Sequence, residues 1–372
     1  MNRLLSTLAW VCISWTMASS QVSYLEQPDL LEKVEACIQH TYGFSFEEAR
    51  DIQAELSAAT PGHPAPVFLE ALIVYWENFP LLPAKKASEK FVDLMDEVVE
   101  MAKELREDQL TYTEGVFFDL FGRAFAAMFW ADNGKSGKVI GDLGNMYRDT
   151  KKGFDLKEEF VEFYFSSGLY NYYIEAYPEA HPAYKPVVAF MHKGDREMGL
   201  KQLHYAIDHT IFLQVESILF MSIIQLKYVG DLDSALSYAE KLVSEFPKNT
   251  FYQAHLVIIL LHQHKYSHVR EWLLETAQQG DRFSKMIRSL ATAFLAEKEL
   301  SDENSARTGY LECIEQAEAF GPFADLYKAM AYMGLSRLYE MQGLQKESNS
   351  YARKASKLTS YSFILDERAG SR

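Results

Sequence analysis

Apolar and small residues recur along the chain at a spacing that predicts helices. In the segment GDLDSALSYAEKLVSEFP (230–247), Ala235, Ala239 and Leu242 follow one another at steps of four and three residues. At about 3.6 residues per turn, these steps place the three side chains on one helix face. Pro247 comes five residues after Leu242 and is expected to end that helix. The same steps recur at Ala49/Gln53/Leu56, Val139/Leu143/Met146, Gly199/Leu203/Ala206, Val269/Leu273/Thr276, Ala306/Tyr310/Cys313 and Ser348/Ala352/Ala355.

The helical segments repeat in pairs. The pattern that begins at Ala235 begins again at Val269, 34 residues later, which is the spacing of a helix–turn–helix solenoid. One such pair cannot bury its apolar face alone, whereas stacked neighbours form a continuous core. The chain is therefore expected to be all-α, with antiparallel helix pairs. We place about eight pairs near 28–61, 63–105, 108–150, 155–210, 216–249, 250–283, 284–320 and 325–362.

A proline-rich segment interrupts the fourth pair. Its first helix is predicted over 160–177 and is followed by PEAHPAYKP (178–186), which has three prolines in nine residues. Proline lacks a backbone N–H and fits poorly inside a helix. We therefore expect the helix to end at 177 and either an ordered insertion or a loop to follow.

The last repeat carries residues that point to a family. Tyr332, Leu335, Ser336 and Tyr339 precede Gly343, which begins the turn before the second helix. This arrangement resembles the tetratricopeptide-repeat (TPR) family, whose first helix carries an aromatic residue, a Leu–small pair and a tyrosine. The resemblance implies a right-handed superhelical solenoid of TPR-like repeats.

The resemblance to TPR repeats is uneven along the chain. It is strongest over 216–283 and clear again over 329–360. The segments 168–178 and 194–203 resemble a recurring hairpin of poorly characterised secreted bacterial TPR proteins. We divide the mature chain into degenerate TPR-like repeats at 21–210, with the insertion near 178–186, better-matched repeats at 211–362, and a C-terminal tail at 363–372.

The family resemblance also implies a concave groove lined by first helices. An apolar, aromatic and Met-bearing groove suits an amphipathic or extended peptide. The alternative is that later helices cover these side chains and that they are simply core. The groove residues would be Phe220, Ile224, Tyr228, Phe251, Ile258, Leu261, His262, Met333, Arg337 and Met341.

A tyrosine-rich helix offers a second candidate contact surface. Tyr170, Tyr173 and Tyr177 fall at helical spacing beside the proline-rich segment, so their rings form one stripe. Such a stripe packs in a core or contacts a sugar or peptide, and both interpretations stay open.

Other candidate sites lack the residue spacing that a phosphate loop or a metal site requires. The GKSGK segment (134–138) lacks the G-x-x-x-x-G-K-[ST] pattern of a phosphate loop, and we interpret it as the turn of the third pair. His264 and His268 are four residues apart but straddle a predicted turn, so no metal site is expected. No nucleophile motif is present, and neither a catalytic residue nor a cofactor is predicted.

Composition and net charge limit the classes of partner that we expect. The formal net charge is −15 and the pI about 5.2, from which we expect no nucleic-acid partner. Cys37 and Cys313 lie near opposite ends of the mature chain, which favours two separate buried thiols over a disulfide.

The N-terminus resembles an export sequence. Arg3 precedes an uncharged apolar segment from Leu4 to Ala18, and small residues stand before a predicted cut ahead of Gln21. Residues 1–20 are therefore predicted to be a signal peptide, giving a periplasmic or secreted protein with no stable membrane insertion after cleavage.

Two hypotheses of function follow. The first is an exported, non-enzymatic TPR scaffold that binds a protein or peptide in its groove. The alternative is a glycan-binding protein or a helical-toroid carbohydrate-active enzyme, which needs paired carboxylates at one cleft. Two buried carboxylates near Tyr172, Tyr173 and Trp76 would favour the enzyme, whereas an open apolar groove would favour the scaffold.

Overall fold

The chain folds into consecutive helix pairs. A computed structural model describes residues 23–24, 27–83, 85–182, 185–278 and 280–366. Within those ranges it contains sixteen helices of ten residues or more. In chain order they are α1 Pro28–Tyr42, α2 Phe46–Ala59, α3 Pro64–Glu77, α4 Lys86–Leu105, α5 Tyr112–Asp132, α6 Leu143–Leu156, α7 Phe163–Ala180, α8 Arg196–His209, α9 Gln214–Ile224, α10 Leu232–Glu245, α11 Thr250–His262, α12 Tyr266–Glu275, α13 Arg282–Lys298, α14 Glu303–Ala317, α15 Asp325–Met341 and α16 Gln345–Leu358.

Shorter elements join the long helices. A 3₁₀ turn (Ser136–Lys138) lies between α5 and α6, and a short helix (Lys185–Val188) lies between α7 and α8. A π-helical segment (Gln225–Val229) extends α9, and a 3₁₀ segment (Glu318–Ala324) leads into α15. A final helical turn, Ser362–Leu365, buries Ile364.

Each helix packs on the next because small residues allow close approach. A Cβ added at Gly199 of α8 would lie 2.8 Å from the carbonyl oxygen of Gly168 in α7, so glycine is required at this crossing. In two repeats a buried serine of the first helix donates to a carbonyl of the second. Ser222 donates to Ala235 at 2.7 Å, and Ser336 donates to Ser348 at 2.9 Å.

The N-terminal repeats also contact the C-terminal repeats across the inner side of the array. The ring of Phe79 lies 5.5 Å from Phe251, 5.3 Å from Phe283 and 5.5 Å from Phe323, measured between centroids. The side-chain amide of Asn249 donates to the backbone oxygen of Tyr42 at 3.2 Å, across 207 positions of sequence. Aromatic side chains of the chain itself therefore fill much of the expected concave side.

The predicted fold class is confirmed. The described chain is an all-α array of consecutively packed helices, and its sixteen long helices fall into the eight expected pairs. One boundary differs, because α7 continues through Pro178 to Ala180. Only the last turn lies beyond this proline, so few hydrogen bonds of the helix are affected.

Two further sequence predictions can be checked. Both cysteines are buried and free, as expected, and burial raises the pKa of each thiol to about 12. Among the described residues, no helix combines the length and the apolar character needed to cross a membrane. The predicted signal peptide at 1–20 lies outside the described residues.

Candidate functional site

A cavity of about 550 Å³ lies between the N-terminal and C-terminal repeats. This volume is in the range of sites for small organic molecules. Its walls come from α1, α3, α5, α7, α9, α11, α15 and the segment after α16. The cavity therefore exists because the two halves of the array meet.

Aromatic rings form one wall of the cavity. The ring centroid of Trp76 lies 5.2 Å from Tyr42, 5.7 Å from Tyr252 and 5.4 Å from Phe79. Tyr42 and Tyr252 are almost parallel, with centroids 6.4 Å apart. These separations are typical of stabilising aromatic pairs, so the wall is held in one geometry. Tyr42 and Tyr252 are each 1% exposed and Trp76 is 6% exposed, so little of these rings faces the cavity.

A lone carboxyl group borders this wall. Glu216 lies in the first turn of α9, its residue is 8% exposed, and it lines the cavity. Its Oε2 atom is buried and has no hydrogen-bond partner among the described residues. Burial raises the pKa of Glu216 to about 8, although its own backbone N–H opposes the shift. Burial of this kind favours the protonated, neutral form of the carboxyl group near neutral pH.

Two tyrosine hydroxyl groups are also buried without a hydrogen-bond partner. The OH atoms of Tyr42 and Tyr252 are buried and have no partner within the described ranges. The charge of Glu216 contributes to raising the pKa of Tyr252 well above its ordinary value, after the larger effect of burial. Buried polar atoms are normally paired, so these three oxygens are exceptions, and each has almost no accessible surface of its own.

A second buried acid fixes the start of the helix that carries Glu216. The carboxylate of Glu162 accepts backbone N–H groups of Ile211, Phe212 and Leu213 at 2.6, 2.9 and 3.1 Å. Burial raises the pKa of Glu162 to about 7, and these three hydrogen bonds oppose the shift. Glu162 therefore anchors the N-terminal end of α9, which positions Glu216.

Asp132 and Lys227 supply further charges. Asp132 lines the cavity and is exposed, with protein atoms close around its carboxyl group. Burial raises its pKa to about 6, and the charge of Lys227 opposes the shift. The Nζ atom of Lys227 lies 4.7 Å from the ring centroid of Tyr361.

His255 on α11 is a neutral hydrogen-bond donor. Its Nε2 lies 2.8 Å from Oγ of Ser222, whose only hydrogen is directed to the carbonyl of Ala235. The histidine must therefore carry its proton on Nε2 and donate it to Ser222. Burial lowers the pKa of His255 to about 3, and Lys227 lowers it further. The imidazole is therefore held in place as a polar part of the cavity wall, and it carries no positive charge near neutral pH.

The groove residues predicted from the sequence fall into two groups. Phe220, Tyr228, Phe251 and Ile258 line the cavity. The other six do not line it. Of these, Ile224, Leu261 and Met333 are in the core, His262 packs against Phe363, Arg337 is paired with Glu297, and Met341 is 53% exposed.

Arg337 has a structural explanation. It is 2% exposed and binds Glu297 through Nε at 2.7 Å and through Nη2 at 2.8 Å. Tyr310 donates to the same carboxylate at 2.5 Å, and Arg337 holds the pKa of Glu297 below its usual range against the effect of burial. This network pins α13, α14 and α15 together and leaves the arginine inaccessible to a partner.

The three tyrosines of α7 have different surroundings. Tyr173 lines the cavity, with its ring 5.3 Å from Tyr228. Tyr170 lies on another side, where its OH donates to the carbonyl of His192 at 2.6 Å. Tyr177 packs against His181 at 4.3 Å between ring centroids. Of the three tyrosines, only Tyr173 therefore lines the candidate site.

The remaining candidates from the sequence are the four histidines between 255 and 268 and the 134–138 segment. His255 and His262 are buried on α11, whereas His264 and His268 are exposed around the following turn. Among the described residues, no group of three or more His, Cys, Asp or Glu side chains could hold a metal ion. The 134–138 segment is the turn of the third pair, as predicted, and Lys138 lies over the ring of Trp130 at 3.9 Å.

Sequence reasoning missed the polar residues of the cavity. Glu216 is the only charged residue in α9, whose sequence is QVESILFMSII, and an isolated acid in an apolar helix is a usable indication of a buried site. Asp132 and Trp76 gave no comparable indication, because their placement depends on contacts with distant repeats.

The comparisons with known proteins do not show a family for this chain. No protein-family model matches the chain, and no curated protein matches it. Among solved structures, one match is the human IFIT1 dimer with PPP-AAAA, at 13% identity and a TM-score of 0.34, covering 91% of this chain and 95% of that chain. At this TM-score the likeness supports no argument about this chain, so the fold assignment depends on the helices described above.

The sequence-based exclusion of a nucleic-acid partner is wrong. The IFIT1 structure reported above is a complex with PPP-AAAA, which conflicts with this exclusion and shows nothing about what this chain itself binds. Net charge is an average over the whole surface, whereas binding depends on the local distribution of charge. An overall charge of −15 therefore does not exclude such a partner.

Proposed function

We propose that this protein is a non-enzymatic binding scaffold that holds a small organic molecule inside its helical array. The observation that supports this proposal most is the cavity of about 550 Å³, whose walls combine apolar and aromatic side chains with the acids Asp132 and Glu216. A concave, mostly apolar site with a few polar groups is typical of the sites that hold small organic molecules.

The proposal places the ligand differently from the peptide groove expected from the family resemblance. Trp76 and Phe79 already contact Phe251 across the inner side of the array. An extended peptide along this face would have to displace these rings. A compact molecule requires no such rearrangement.

Native mass spectrometry of the protein purified without denaturant from its own cells tests the proposal. We expect a bound small molecule with the wild-type chain and with Ala58→Phe, an exposed change on α2. Ala131→Phe, which fills the cavity wall, is expected to lose it. Equal retention by both variants would show that the ligand binds elsewhere, and an empty wild-type protein that binds no compound in a thermal-shift screen would refute the proposal.

A carbohydrate-active enzyme remains the second candidate, because Asp132 and Glu216 line one cavity with Trp76 and Tyr173. Their raised pKa values, about 6 and about 8, differ as those of a base and an acid would. Hydrolysis of nitrophenyl glycosides by the wild-type chain, lost in both Asp132→Asn and Glu216→Gln, would favour the enzyme. Absence of turnover with a bound sugar would favour a glycan-binding scaffold.

We also propose that the protein is exported, with a cut before Gln21. Ser23 and Tyr24, which follow the predicted cut before Gln21, are buried. Ser23 donates to Glu114 at 2.6 Å, and the hydroxyl of Tyr24 lies 2.8 Å from that of Thr60. N-terminal sequencing of the protein from cell fractions tests this, with Gln21 expected as the first residue of an exported form.

A further inference from the structure

Three exposed apolar side chains lie on the third and fourth helix pairs. Ile140, just before α6, is 68% exposed, Leu143, the first residue of α6, is 48% exposed, and Phe190, between α7 and α8, is 92% exposed. Phe190 is the most exposed large apolar residue of the described chain. Single exposed apolar residues are common on soluble proteins, whereas a group of them indicates a surface that binds a partner.

Two hydrogen bonds hold the segment that carries Phe190 against α6. The backbone N–H of His192 donates to the hydroxyl of Tyr147 at 3.1 Å, and the hydroxyl of Tyr170 donates to the carbonyl of His192 at 2.6 Å. Tyr147 comes four residues after Leu143, so the two share one face of α6. Phe190 comes two residues before His192, at most about 7 Å along the backbone, and therefore lies beside that face.

The helix α6 buries few of its side chains. Of its fourteen residues only Asp149 and Gly153 are buried, and the apolar side chains of Met146 and Tyr147 are half-buried. The other helices of the array cover α6 incompletely, so its apolar side chains extend the exposed surface around Leu143.

The same surface is basic in an acidic protein. The segment 134–152 contains five Lys or Arg and two Asp, and the segment 181–193 contains two Lys and no acid, whereas the whole chain has a net charge of −15. The Nζ atom of Lys151 lies 5.8 Å from the ring centroid of Tyr147, so positive charge stands beside the apolar side chains. The exposed lysines of the two segments are Lys135, Lys138, Lys151, Lys185 and Lys193.

The two acids of the 134–152 segment are bound by arginines. Asp149 is 0% exposed and accepts a hydrogen bond from Arg106 at 2.9 Å. Arg123 donates to Asp142. These acids therefore do little to neutralise the exposed lysines of the segment.

An anionic lipid surface matches both properties. Basic side chains are attracted to acidic headgroups, and apolar side chains beside them enter the boundary between headgroups and acyl chains. A nucleic acid would bind the lysines through its phosphates, but it offers no apolar phase to the aliphatic side chains of Ile140 and Leu143. The combination therefore favours a bilayer over a nucleic acid.

We propose that the start of α6 and the segment 189–193 form a surface that binds the anionic face of a lipid bilayer. Ile140, Leu143 and Phe190 enter the headgroup layer, and the surrounding lysines pair with the acidic headgroups. The contact involves one leaflet and requires no membrane-spanning helix. It does not include the cavity, so it is independent of the proposed small-molecule ligand.

Flotation of the full chain with lipid vesicles tests the proposal. One set of vesicles contains phosphatidylcholine alone, and the other contains phosphatidylcholine and phosphatidylglycerol. We expect binding to the anionic vesicles only. Raising the salt concentration from about 0.1 M to about 1 M, which shortens the Debye length from about 10 Å to about 3 Å, should release the protein.

Two variants remove the two components of the surface separately. Phe190→Ser should weaken binding to the anionic vesicles about ten-fold, because an apolar ring no longer enters the bilayer. Lys151→Gln combined with Lys193→Gln should weaken it about twenty-fold, at about five-fold for each lysine. All three side chains are exposed, and circular dichroism with the melting temperature verifies that the variants fold.

Matched controls carry the same changes on other repeats. Leu274→Ser, at a residue that is 79% exposed on α12, and Lys241→Gln combined with Lys346→Gln, at exposed lysines, should bind as the wild type does. Equal losses in the controls, equal binding to both kinds of vesicle, or no binding to anionic vesicles at low salt would refute the proposal. A single-stranded RNA bound through the lysines, without vesicle binding, would assign the surface to nucleic acid and also refute it.

Discussion

Replacing Glu216 by glutamine should change how the stability of the protein depends on pH. Burial raises the pKa of this carboxyl group from 4.5 to about 8 in the folded state. Between these values the folded protein binds more protons than the unfolded chain, so stability decreases as the pH rises through this window and levels off above about 8. At about 1.4 kcal/mol per pKa unit, the full effect is about 5 kcal/mol.

Comparison of the variant with the wild type isolates this contribution from those of other acids. Glutamine keeps the shape of the side chain and does not titrate. Part of the full effect lies below pH 5, so the free energy of unfolding of Glu216→Gln, relative to wild type, should increase by about 4 kcal/mol between pH 5 and pH 9.

The assay is urea unfolding at pH 5, 6, 7, 8 and 9, followed by circular dichroism and by tryptophan fluorescence to verify a single transition. Glu48→Gln, at the equivalent but exposed position in the first turn of α2, should follow the wild type at every pH. A constant difference between Glu216→Gln and wild type across this range would refute the reasoning, because Glu216 would then have an ordinary pKa and a polar partner.

Three further predictions concern the buried polar groups. Glu162→Ala should lower the free energy of unfolding by about 3 kcal/mol, because three backbone N–H groups lose their acceptor; a loss below 1 kcal/mol by urea unfolding would contradict this role. Arg337→Met should cost about 3–5 kcal/mol, because the buried carboxylate of Glu297 loses both hydrogen bonds from the guanidinium group, and adding Glu297→Leu should restore most of the loss. Cys37 and Cys313 should not react with Ellman's reagent until the protein unfolds, since both are buried with raised pKa values; rapid reaction of the folded protein would contradict their burial.

The repeat architecture could be predicted because its determinants are local. The steps at Ala235, Ala239 and Leu242 correspond to buried positions of one helix, and the same pattern recurs in its neighbours. Packing of each helix on the next follows from these small and apolar residues. The eight pairs were therefore visible in the sequence.

The closure of the array could not be predicted in the same way. It depends on contacts such as Trp76 with Phe251 and Asn249 with Tyr42, which join residues more than 170 positions apart. The spacing of apolar residues specifies which face of a helix is buried but not which distant repeat covers it. The family resemblance placed Phe220 and Phe251 on a groove, and the structure places both on the wall of the cavity between the two halves of the array.

The polar residues of the site were missed for a related reason. Acidic side chains are usually exposed, so a sequence with 52 of them gives little indication of which ones are buried. Glu216 stood out only as the single charge in an apolar helix. Its missing partner became visible only with the surrounding rings of Tyr42 and Tyr252.

A crystal structure of the full chain tests the central claim most directly. The account predicts the N-terminal repeats closed on the C-terminal repeats, with Trp76 against Phe251 and the cavity between the two halves. An open superhelix with these rings separated, or a closed one without the cavity, would contradict it.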